Sequence, residues 1–127
     1  MALRCSTNYD ISISGNGNYI ICRVDVPITK EIARDYSLDV DRLSREKNIK
    51  RFLFDLRRAP NIESTFDNYD YAYEDMPDMR LQRDVRSAVL VSPDDHSHDF
   101  PETVMRNAGY NVRLFTDLEA AVVWLEE

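Results

Sequence analysis

The sequence predicts a mixed α/β fold, a ββαβαβαβα chain in which an N-terminal antiparallel hairpin leads into parallel βα units with helices packed on the sheet. Three observations predict it. Two alternating segments near the start are joined by Gly15-Asn16-Gly17-Asn18, residues that tolerate positive φ. Short apolar runs recur at 51–56, 87–91 and 110–115. Between these runs, apolar residues repeat at helical spacing.

Each element has its own warrant. Residues 9–14 alternate, with Ile11 and Ile13 on one face, and 19–26 follow as the second strand, with Ile20, Cys22, Val24 and Val26 on one face. Thr29 is an N-cap candidate. Ile32, Tyr36, Val40 and Leu43 make a helical stripe over 30–47. Arg51 to Leu56 is apolar on both faces except for Asp55, which suits a central strand. Ser64 and Asp67 have capping-box spacing, and Phe66, Tyr69, Tyr73 and Met76 form a stripe that Pro77 stops or kinks. A second helical piece is expected over 78–84. Strand 87–91 follows. Asp99 with Glu102 opens a helix over 99–108 that Gly109 ends, and 110–115 is the last strand. Thr116 with Glu119 caps the final helix.

The 127 residues are close to the usual size of one domain, so a single domain, 1–127, is expected. The net charge of −7 disfavours nucleic acid and anionic membrane surfaces as partners. No stretch approaches the roughly 20 apolar residues of a membrane span. MALRCSTNYD lacks the apolar core of a secretory signal. In the hairpin, the residue facing Cys22 is near Ile11 and not Cys5. A disulfide is therefore not expected, and reduced thiols in a cytoplasm fit best.

In an open sheet of this kind, ligands are expected where the strands end. That edge gathers Asp55, Arg57 and Arg58 with Asp94, Asp95 and His96 into a polar cluster. The stretch SPDDHSHDF (92–100) offers metal donors. However, an H-x-H pair converges only on extended backbone, and no third histidine exists. The better reading is a polar lip, with Asp99 and Glu102 serving the helix that follows. P-loop, G-x-G-x-x-G and G-x-S-x-G patterns are absent. A non-enzyme without metal or cofactor is therefore expected. The aromatic segment Phe66, Tyr69, Tyr71 and Tyr73 with Met76 and Met79 crowds adaptable apolar side chains together. It reads as core on one stripe, and as a cover for a pocket or an interface if it is more than core.

The element order, the FLFDL strand followed by a loop and a Ser-led helix, and the ending AGYNVRLFTDLEAAVVWLEE resemble the SpoIIAA-like proteins. These belong to the STAS group, which shares features with the Sec14 (CRAL-TRIO) lipid-binding fold. The resemblance implies a regulatory protein-interaction module like the bacterial anti-sigma-factor antagonists, which are switched by serine phosphorylation. The matching position here is Ser64, in the context Glu63-Ser64-Thr65 where the family carries D-S-x-G. The Sec14-like side implies a small apolar or lipid-like ligand beneath the 64–79 helix. A metal-dependent enzyme at 94–99 ranks third. A homodimer would use the edge strand that the hairpin leaves.

Overall fold

A computed structural model describes residues 2–5 and 8–127, with side chains from residue 8 onward. Six strands form one sheet in the order of the chain: β1 (Ala2–Cys5), β2 (Tyr9–Ile13), β3 (Ile20–Val24), β4 (Arg51–Asp55), β5 (Arg86–Leu90) and β6 (Val112–Phe115). The pairs β1/β2 and β2/β3 are antiparallel, and the rest are parallel. The helices are α1 (Lys30–Lys47), α2 (Thr65–Asp70), α3 (Met76–Met79), α4 (Asp99–Asn107) and α5 (Leu118–Glu126). A π-helical stretch, Tyr71–Asp75, joins α2 to α3. The fold class is the expected one, with an added strand. The four residues of β1 are too few to show an alternation. The edge strand of the sheet on that side is therefore β1 and not the hairpin strand β2.

The hairpin turns as its residues dictate. Gly17 has φ +77°, and Ser14 Oγ and Asn16 Oδ1 close the turn. Ile11 lies opposite Cys22, as the register predicts, and Cys22 is buried and free. The Cys5 side chain lies outside the described residues.

The strand order does not reverse, and α1, the 65–79 segment and α4 all pack on one face of the sheet, as crossovers of one hand require. The larger core lies there, with Ile20, Cys22 and Val24 of β3, Phe52 of β4 and Val112 of β6 under Ala33, Val40, Tyr71 and Met76. The second face is covered by α5, whose Ala121 and Leu125 bury Leu53, Ala88 and Leu90. Asn16 and Asn18 donate to Glu126 at 2.7 and 3.2 Å, tying the hairpin turn to the end of α5.

Thr29 and Ser64 cap α1 and α2 as expected. Two caps differ. α5 is capped by Asp117, which accepts from the Ala120 amide, one residue after the expected Thr116. At α4 the N-cap position is His98, without a side-chain bond. Glu102 does not complete a box; it accepts the Leu114 amide of β6 at 2.7 Å, because that strand lies within reach. The expected helical piece at 78–84 is absent, as Arg80 turns left-handed at φ 55° and ends α3.

Candidate functional site: a cavity beneath the 65–79 roof

A cavity of about 130 Å³ lies between the sheet and the three helical segments on its larger face. Its floor is Phe52 and Phe54 of β4, Val89 of β5, and Val112 and Leu114 of β6. Ala33, Tyr36 and Val40 of α1 form one wall, and Pro101 and Met105 of α4 the other. Tyr71 and Met76 close it from above. Phe54, Val89 and Leu114, all on the inner strands or β6, keep partial accessibility, which shows that the helix layer does not seal over the sheet. The expected place for a ligand was the edge where the strands end. The cavity reaches that edge at Leu56, Asn61 and His98, but it runs across the sheet face to Val85 and Tyr110.

The roof explains which aromatics line the cavity. Pro77 has no amide hydrogen, and its ring collides with the carbonyl four residues earlier, that of Tyr73. The chain widens instead, and the Met76 amide donates to the Tyr71 carbonyl, five residues back. Tyr71 and Met76 thereby share the inward face with Ala72, and all three are buried. The stripe expected at 3.6 spacing is corrected: Phe66, Tyr69 and Tyr73 point to solvent, 73%, 53% and 38% exposed, and only Met76 of that stripe is inside. Tyr69 and Tyr73 stack on each other at 4.6 Å. Tyr71, the aromatic off the predicted stripe, lines the cavity. Met79 is half-buried against the core. In the loop before the roof, Ile62 is 59% exposed. Ser64 is exposed at the start of this roof, its hydroxyl donating to Asp67 Oδ2 at 2.9 Å and accepting the Asp67 amide.

Most polar groups around the cavity are engaged by the protein. Lys30 pairs with Asp70 at 3.1 Å and Asp75 at 3.3 Å, pinning the roof to α1. Glu63 accepts the Lys30 amide at 2.6 Å. Asp41 accepts from Arg45 and Gln82. Arg83 lies over the Tyr110 ring at 4.7 Å and donates to its hydroxyl. Burial pushes the phenols of Tyr36 and Tyr71 above their ordinary values, so both are neutral donors.

The polar lip divides into separate parts. Arg57 grips Asp55 with two bonds, at 2.9 and 2.8 Å, and holds its carboxyl below the usual range against the opposing effect of burial. Arg58 and Asp94 are exposed. Asp95 accepts from Ser97 Oγ at 2.6 Å, and Ser97 Oγ in turn accepts the Asn61 amide. His96 is exposed beside Asp99, whereas His98 is buried and its Nε2 donates to the Ala59 carbonyl at 2.8 Å. The two rings diverge, and among the described residues no three His, Cys, Asp or Glu side chains are placed to hold a metal ion. His98 is a clasp between the 92–99 and 59–61 loops. Burial lowers its pKa below the ordinary imidazole value.

Sequence reasoning placed Tyr36 only on the buried stripe of α1, and did not single out Ala33, Phe54, Val89 or Met105. Nothing in their spacing separates a side chain against a cavity from one against a filled core. The one legible signal was Pro77, five residues after Ala72.

No family model matches the chain. No curated protein matches it either. Among solved structures it is similar to an uncharacterised protein of the DUF3478 family from Shewanella loihica PV-4, described as having a SpoIIAA-like fold. The identity is 16%, the TM-score 0.52, and the match covers 96% of this chain and 99% of that one. The fold of this chain is SpoIIAA-like.

Proposed function

We propose that the protein is a non-catalytic binding module that takes up a small, mostly apolar molecule beneath the 65–79 roof. The cavity of about 130 Å³ carries this reading. Engineered apolar cavities of roughly 150 Å³ bind benzene, so one ring is the right scale and a long acyl chain is not. The π-helical stretch supports it too, since such turns concentrate at functional sites. Free, buried Cys22 suits a reducing compartment such as a cytoplasm. Among the described residues no helix is long and apolar enough to cross a membrane. The test is thermal denaturation with and without isopropylbenzene. Saturable stabilisation supports the reading; no stabilisation at the solubility limit refutes it.

A second reading has its own observation. Phe66, Tyr69 and Tyr73 are exposed on the outer side of the same roof, which favours a regulatory protein-interaction module of STAS type. Ser64 borders that face, so a phosphate there would add charge at its edge. This reading expects a stoichiometric partner that Phe66→Ser releases. A Ser64→Asp variant that keeps the partner at full affinity argues against the switch.

A further inference from the structure

Tyr36 is an aromatic lining residue whose polar end the protein leaves unanswered. It is half-buried and lines the cavity. Its ring is held edge-on to Tyr9 at 6.2 Å and against Phe54 at 5.6 Å. Among the described residues its hydroxyl makes no hydrogen bond. The neighbouring Tyr71 hydroxyl meets only Ser37, at the long distance of 3.4 Å. Buried hydroxyls are satisfied with great regularity, and among the described residues no sealed side-chain polar atom lacks a partner. The Tyr36 hydroxyl is therefore open to water, and a ligand that displaces that water must supply a polar group in its place.

The surroundings limit that occupant. Phe52, Phe54, Tyr36 and Tyr71 offer ring faces and edges. Of the lining cations, Lys30 is paired with Asp70 and Asp75 and Arg83 lies over Tyr110, and the lining carboxylates Asp41, Glu63 and Glu102, each already engaged by the protein, outnumber them, so the cavity disfavours an anion. Burying a charge without a partner is costly, which leaves a neutral ligand. A neutral phenol donates more strongly than it accepts, so the matching group is an acceptor. Resting on the reading of the cavity as a ligand site, we propose that it selects a neutral, single-ring ligand bearing a carbonyl that accepts a hydrogen bond from Tyr36.

The experiment compares acetophenone with isopropylbenzene, which has the same branched shape and no acceptor, on the full chain and on Tyr36→Phe. Affinities are read by calorimetry. The expected result is that acetophenone binds the natural chain more tightly than isopropylbenzene, and that Tyr36→Phe weakens acetophenone roughly five- to tenfold while leaving isopropylbenzene unchanged. Equal binding of both probes by both proteins overturns the carbonyl anchor and leaves the apolar site standing. Binding of neither probe by the natural chain overturns the site itself. The variant keeps the ring and its aromatic contacts. A Tyr71→Phe control, whose hydroxyl already meets Ser37, is expected to move acetophenone less than Tyr36→Phe does, and the reverse order transfers the anchor to Tyr71 and refutes the assignment.

Discussion

Filling the cavity from α1 should stabilise the protein and close the site. Ala33 is nearly buried and lines the wall. Ala33→Leu adds three carbons on a residue type that helices favour. Each newly buried methylene contributes about 0.8 kcal/mol, giving an upper bound of about 2.4 kcal/mol. Ordering the leucine side chain costs about 0.5–1 kcal/mol. The net gain is about 1–2 kcal/mol. An independent ceiling agrees: at about 24 cal/mol per Å³, complete filling of 130 Å³ returns about 3 kcal/mol. Urea denaturation of both proteins, with equal slopes required, reads the difference. Thermal unfolding should rise by roughly 3–8 °C, and isopropylbenzene should no longer stabilise the variant. A loss of about 1 kcal/mol or more would mean that the leucine meets packed atoms, and the cavity reasoning fails. Unchanged probe binding refutes it equally.

Three further outcomes follow from the same geometry. Phe66→Ser should change the unfolding free energy by less than about 0.5 kcal/mol, whereas Met76→Ala should cost about 2–5 kcal/mol; comparable losses would restore the regular stripe and refute the π-helical inversion. Tyr36→Phe should leave ligand-free stability within about 0.5 kcal/mol, because its hydroxyl gives up no protein bond; a loss above about 1 kcal/mol in chemical denaturation shows that it has a partner. His98 should produce an acid-side slope. Its folded pKa lies below the unfolded value of 6.5, so between the two the unfolded chain binds more protons. Stability is then full above about pH 6.5 and falls on acidification through that window. His98→Gln should flatten the slope between pH 7 and 5, and an unchanged slope assigns it elsewhere.

Much of this architecture is local, and local chemistry is what a sequence states. Gly15 to Asn18 can turn only where positive φ is tolerated. Thr29, Ser64 and Gly109 mark helix ends through groups within four residues of themselves. FLFDL, apolar on both faces, declares a strand covered on both sides, and the structure sets Phe52 and Leu53 in the two opposite cores. The SpoIIAA-like arrangement follows from such signals in order. What the sequence did not decide depends on distance across the fold. Glu102 looked like half of a capping box until β6 lay close enough to offer the Leu114 amide, and nothing in 92–100 said that its loop would turn His96 outward and His98 into Ala59. The roof shows the reason most directly. A period of 3.6 assigns Phe66, Tyr69 and Tyr73 to the inside, but one π turn forced by Pro77 rotates the face and brings Tyr71 and Met76 together. Periodicity records which side chains share a side. Whether that side meets a filled core, an open cavity or water is set by the elements packed against it, and only the tertiary structure brings those together.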